Sequence, residues 1–234
     1  MTTIPSDDQP KFIPHGLFVP TDRADFNIPW DAQQNWERRH NNVKGTTAEI
    51  PFGMLALYWK YAWSTARSPW LMPELFEAMV KREGAADKVW NMLIGGGVTI
   101  VETTYFVVGT QVLAYSGFYF AYEHFLVSCC EARLGRPIPD AIGYKQIKSA
   151  VETAFNPGFE RQVWSHPDVE RIRRIRNDLV HRSGIPKPET SSIAADVVIE
   201  RHLQITPNDI KEEMDALTPR IDLLTSEKYP KATS

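Results

Sequence analysis

The sequence predicts an all-α protein: one helical bundle over residues 49–234, preceded by an irregular, proline-rich N-terminal arm over residues 1–48. Three observations carry this. Apolar residues recur at helical spacing in several segments, most clearly Ile210, Met214, Leu217, Ile221 and Leu224, which step by 4, 3, 4 and 3. Helix start and stop signals bracket those segments. Strand-like alternation is confined to one short series before the last helix, Ile199, Arg201, Leu203 and Ile205.

The chain of 234 residues is long enough for one sizeable core. Hydrophobic residues make up 43% and charged residues 24%, as in a soluble globular protein. A net charge of −3 excludes a globally basic nucleic-acid binder. Charge is uneven, however. From Arg161 to Lys187 there are seven Lys/Arg against three Asp/Glu, a local basic patch able to meet phosphates.

The arm holds Pro5, Pro10, Pro14, Pro20 and Pro29 with little apolar periodicity, and Trp30 and Trp36 are expected to anchor it on the body. A first helix is expected over Pro51 to Thr65, ended by Ser68-Pro69. Pro73 opens the next at its first turn, running to Ile94 with a break at Gly84. Gly95-Gly96-Gly97 reads as a hinge, since no Lys-Ser/Thr follows to make it a phosphate loop.

A long aromatic helix or helix pair follows from Val98 to Leu134, stopped by Gly135-Arg136-Pro137. Its twenty uncharged residues, Thr103 to Tyr122, match a membrane span in length. Threonines, Gln111, Ser116 and four tyrosines dilute the run, which fits a central helix enclosed by others, with no membrane contact. His124 beside Glu123 reads as a core or rim histidine. Asp140 is placed to cap a short helix with Ile142, Ile147 and Val151, ending near Asn156-Pro157-Gly158. The last helix starts at the capping box Thr206-Pro207-Asn208-Asp209, and Pro219 should kink it.

Cys129 and Cys130 are adjacent, and neighbours on a helix point about 100° apart, a poor geometry for a disulfide. Reduced thiols suit the cytoplasm, and the N-terminus lacks the basic start and apolar run of a signal peptide.

The chemistry concentrates in one helix, from about His166 to Ser183. Ser165 and Asp168 form a capping-box pattern, and Gly184 with Pro186 gives the stop. Val169, Ile172, Ile175 and Leu179 make the core stripe. Glu170, Arg173, Asn177 and His181 fall on a second stripe with Arg174 alongside, and Arg176 lies on the other flank. Glu170 is expected to pair with Arg173 or Arg174. Metal-ligand spacing and a nucleophile elbow are both missing, so neither a metal nor another cofactor is expected. Arginine can hold a phosphate and offset developing charge, and histidine can move a proton near neutral pH. Arg176, Asn177 and His181 therefore suit attack of a ribose 2′-hydroxyl on the adjacent phosphate. A histidine in the last turn can instead simply cap its own helix.

Arg176-Asn177-Asp178-Leu179-Val180-His181, preceded by Glu170-Arg171-Ile172-Arg173, resembles the signature of the HEPN superfamily (higher eukaryote and prokaryote nucleotide-binding). In that family an arginine, often with a polar neighbour, precedes a histidine by four to six residues. The resemblance covers about residues 50 to 229 and implies a small all-helical domain. Many members are metal-independent endoribonucleases of toxin–antitoxin and antiviral defence systems. It implies that Arg176 and His181 are the catalytic pair and Asn177 the polar neighbour. Arg173, Arg174 and Arg182 would then guide RNA. Two motifs meet across a dimer in the family, so this single copy implies a homodimer, restrained by a protein antitoxin or other regulator. Ser183 stands where one branch carries a tyrosine, which argues against a nucleotidyltransferase partner. The alternative is a domain of the same fold that binds RNA or a nucleotide without cutting.

Overall fold

The computed structural model describes residues 11–13, 17–19, 31–84, 88, 100–139, 143–181 and 205–232. Among these residues the body has seven helices: α1 (Asp31–Val43), α2 (Glu49–Glu83), α3 (Ile100–Leu134), α4 (Tyr144–Ala154), α5 (Phe159–Val163), α6 (Pro167–His181) and α7 (Pro207–Ser226). The all-α bundle expected from the sequence is the architecture found.

α3 is the axis of the bundle, and α2, α4, α6 and α7 all pack on it. Its Tyr115, Phe118, Tyr119, Tyr122, Phe125 and Leu126 are buried. Aromatic rings bury large areas and meet edge-on, as Trp59 of α2 does with Phe118, with its indole N–H on the Phe118 carbonyl. The uncharged run is thus an enclosed helix, and among the described residues no helix is long and apolar enough to cross a membrane. Gly135, at φ +65°, ends α3 in the left-handed region that glycine adopts without strain.

The described parts of the arm hold regular structure. Lys11–Ile13 and Leu17–Val19 pair antiparallel, with Phe12 opposite Phe18. α1 occupies the last part of the arm: Trp36 stacks on Phe52 at 4.6 Å, and buried Arg39 forks onto Asp222 of α7. The expected docking of Trp36 is therefore met. Trp30 lies outside the described residues.

The expected stop at Ser68-Pro69 does not occur, and α2 runs through to Glu83. Pro69 has no N–H for the Thr65 carbonyl, but the Ser68 hydroxyl donates to that oxygen at 2.8 Å. The lost backbone bond is replaced locally, so the helix continues. Gly84, at φ +71°, follows its end.

The remaining elements follow their signals with small shifts. α4 starts at Tyr144 with Gly143 as its N-cap, three residues beyond the expected Asp140 cap, which with Ile142 lies outside the described residues. At α7 the Thr206–Asp209 capping box is formed, and Ile210, Met214, Leu217, Ile221 and Leu224 are all buried. Pro219 sits inside this helix. The glycine hinge at 95–97 and the strand expected over 197–205, up to Gln204, lie outside the described residues.

Candidate functional site

α6 carries the sequence motif, and its local chemistry explains how it is held. Val169, Ile172 and Leu179 are buried, which fixes the helix on α3 and α7. The N-terminal cap is not Ser165. His166 precedes the first helical residue, Pro167, and its Nδ1 accepts the Asp168 N–H at 3.2 Å. Ser165 instead donates to Glu160 and bonds the Tyr144 hydroxyl. Histidine takes the cap because Arg220 of α7 lies against its ring and also pairs with Asp168 at 3.2 Å. Tertiary contact overrides the local preference for serine.

Arg176 and Asn177 form a unit. Arg176 Nη1 donates to Asn177 Oδ1 at 3.0 Å, and both side chains are half-buried. The Nε of Arg176 is buried without a hydrogen-bond partner among the described residues. His181 is the last residue of α6 and is exposed, next to Val180, also exposed at 44%. Arg176 and His181 are five positions apart, about 140° around a straight helix. One chain therefore presents the two groups in different directions.

Arg173 is held rather than free. Its guanidinium lies over the Tyr144 ring at 4.1 Å and 5.3 Å from Trp164, and the two rings stack at 5.4 Å. It also pairs with Glu170 at 3.6 Å, as the helical spacing leads one to expect. Cation–π contact with two rings orders this side chain. Arg174 is exposed, and Arg182 lies outside the described residues. Arg171, on the opposite side of α6, binds Glu213 of α7.

Two residues that sequence reasoning passed over face the motif from α3. Tyr119 is buried, and its hydroxyl lies toward Arg173. Burial pushes its phenol well above the usual range; Glu123 adds to that, while Arg173 and Arg176 oppose it. Glu123 is half-buried, and desolvation raises its carboxyl despite the pull of Arg176 and Arg173. The available signal was their four-residue spacing, which puts both on one face of a long buried helix. His124 points outward as a rim histidine, 6.2 Å from the Phe120 ring.

The arrangement offers a partly desolvated cation, an amide that orients it, and a titratable imidazole at the surface. Such groups can grip a phosphate oxygen and move protons without a metal. Both cysteines are free and buried, away from reactive exposure. Comparisons of the chain with protein-family models, curated proteins and solved structures give no match.

Proposed function

We propose that this chain is a HEPN-type, metal-independent endoribonuclease, a toxin or defence effector that works as a cytoplasmic homodimer. The observation that carries the reading is the Arg176–Asn177 unit on α6, half-buried and hydrogen-bonded, with exposed His181 closing the same helix.

In this reading Arg176 holds a non-bridging oxygen of the scissile phosphate. Asn177 fixes the plane of the guanidinium. The ribose 2′-oxygen attacks phosphorus as its proton is withdrawn, and the 5′-oxygen leaves with a proton. The products are a 2′,3′-cyclic phosphate and a 5′-hydroxyl, so no water or metal enters the step. His181 serves one of these transfers and a second His181, from the partner chain, the other. The angular separation of Arg176 and His181 favours this division, because a second copy of α6 can supply what one copy points away. Arg174 and Arg182 would steer RNA, while Arg173 stiffens the site through Tyr144 and Trp164. An antitoxin or other regulator would restrain the activity.

A second reading rests on the same separation: a monomer of this fold would bind RNA or a nucleotide through Arg176 without cutting. Incubation of RNA with the protein in excess EDTA, beside His181→Ala, tests both. Cleavage by the wild type alone, leaving cyclic phosphate ends, supports the nuclease. Intact RNA held with measurable affinity supports the binding domain. Equal cleavage in both samples overturns the role of His181.

A further inference from the structure

α2 buries Leu55, Trp59 and Trp63 in the core, yet its opposite side is also apolar. Ile50 is 78% exposed, Leu57 39%, Tyr58 40% and Tyr61 56%, and Met54 is half-buried. The Tyr58 and Tyr61 rings meet edge-on at 6.4 Å, so they form one surface. Ile50, Met54, Leu57 and Tyr61 step by 4, 3 and 4, the heptad spacing of a seam that another helix covers. A large side chain presents about 150–250 Å² when fully exposed, so these fractions leave roughly 400 Å² of apolar surface in one strip. Patches of that size mark interaction surfaces. The strip is about half of the roughly 800 Å² that each partner buries in a standard interface, which fits one docked helix better than a whole globular domain.

The charge beside the seam defines the partner's chemistry. From Ile50 to Ser68 the charged residues are Lys60 and Arg67, seven apart and therefore on one edge of the helix. Pro51, Tyr58 and Thr65 occupy the other edge and carry no charge. Glu49, just before the seam, is held by His40 at 3.2 Å and by the Gly45 N–H at 2.7 Å. Flanking positions of paired helices select partner and orientation through salt bridges. A second copy of α2 supplies no carboxylate to Lys60. Antiparallel, it brings the two basic edges together; parallel, it sets Lys60 opposite the uncharged edge. Like charges across an interface suppress a wrong partner. We propose that this strip docks an amphipathic helix of another protein, with aliphatic residues on its seam and Glu or Asp on the edge that meets Lys60. Ile50 to Tyr61 spans about 17 Å at 1.5 Å per residue, so about three turns of the partner lie on it. No residue of α6 enters this proposal, which stands apart from the ribonuclease reading.

The test uses the full-length chain and two labelled peptides with leucine at both seam positions of every heptad. One carries glutamate at the flanking positions and the other lysine. Fluorescence anisotropy gives affinities, and circular dichroism follows peptide helicity and the folding of each variant. The glutamate peptide is expected to bind and gain helicity, and the lysine peptide to bind at least about tenfold more weakly. Added salt should narrow that gap. Ile50→Asp and Leu57→Asp should each weaken the glutamate peptide at least about tenfold. Ile50 lies far enough out of the core that its variant should melt like the wild type. Lys60→Glu should abolish or reverse the preference between peptides. No binding of the glutamate peptide, equal affinity for both peptides, or undiminished binding to folded Ile50→Asp overturns the proposal. Sedimentation of the chain alone and flotation with phosphatidylcholine–phosphatidylserine vesicles test the other occupants. Self-association or vesicle binding that Ile50→Asp abolishes gives the strip to a second copy or to a lipid surface, and overturns the proposal as well.

Discussion

Arg176 and Asn177, neighbours on α6, join side chain to side chain at 3.0 Å, so the guanidinium plane is set by the residue that follows it. Adjacent helical residues diverge by about 100°. If the chain is the proposed ribonuclease, removing the amide should harm catalysis more than binding. Asn177→Ala is expected to lower kcat roughly tenfold to a hundredfold, the range of one hydrogen bond to a charged group. Arg176→Lys should lose more, because a point charge cannot serve Asn177 and a phosphate through one planar fork. Single-turnover cleavage of a labelled RNA measures both.

Arg171 and Glu213 give a pH-dependent prediction. Glu213 is buried on α7; desolvation raises its carboxyl, and the bond from Arg171 pulls it back. With the folded value above the unfolded one, the ionised carboxylate costs stability above the folded value. The folded protein takes up a proton as pH falls through it, and the cost disappears. Arg171→Met removes the compensating cation, so it should destabilise by about 1–3 kcal/mol at neutral pH. The loss should shrink in acid, where Glu213 is protonated. Urea midpoints for wild type and variant at about pH 7 and about pH 4.5 check the direction.

How much of this was legible in the sequence depends on the range of the forces involved. Local periodicity gave α7 in full, because the apolar positions from Ile210 to Leu224 and the Thr206 cap lie within one segment. It also gave the buried stripe of α6. The errors came where a distant or compensating contact decided the outcome. His166 displaced Ser165 as the cap because Arg220, 54 residues away, lies against its ring. α1 was hidden in a proline-rich arm, since its anchor is a salt bridge to a residue 183 positions later. At the candidate site, Arg176, Asn177 and His181 were readable as a motif. Glu123 and Tyr119 were not, because only the packing of α3 on α6 brings them to it.

The platform under Arg173 predicts a separation of two roles. Tyr144 supplies a ring to the guanidinium and to Trp164, and a hydroxyl to Ser165 and Glu170. Tyr144→Phe keeps the stack and loses half-exposed hydrogen bonds, so it should cost no more than about 1 kcal/mol. Tyr144→Ala removes both and should cost about 2–3 kcal/mol, with Arg173 released to solvent. Thermal melts give the stabilities. If Arg173 stiffens the site rather than steering RNA, Tyr144→Ala will lower kcat while leaving the salt dependence of RNA binding unchanged.

Passage of α2 through Pro69 depends on one hydroxyl. The Thr65 carbonyl has the Ser68 side chain in place of a backbone N–H. Ser68→Ala strips that bond while proline still withholds its own, and should cost about 1 kcal/mol. Pro69→Ala restores an N–H, so the serine becomes redundant and Ser68→Ala should then cost almost nothing. The non-additivity in a double-mutant cycle, read by urea unfolding, is the quantity that matters. Additive effects would show that the carbonyl never needed the serine.

Arg39 and Asp222 predict an asymmetry between the two ends of one ion pair. Arg39 is 1% exposed and donates through Nε at 2.6 Å and Nη2 at 3.2 Å to the two carboxylate oxygens, tying α1 to α7. Asp222 also has Arg38 at 3.4 Å and keeps contact with solvent. Asp222→Asn leaves a buried cation without its carboxylate, the costly way to break such a pair, about 3–5 kcal/mol. Arg39→Met removes the buried charge itself, fills much of the same volume, and leaves Asp222 to Arg38 and water. It should cost about 1–2 kcal/mol, and less if the methionine packs well against α7. Chemical unfolding of the two variants decides it. Equal losses would mean that the pair acts through packing alone, and a larger loss for Arg39→Met would mean that α1 is held by the arginine stem rather than by charge.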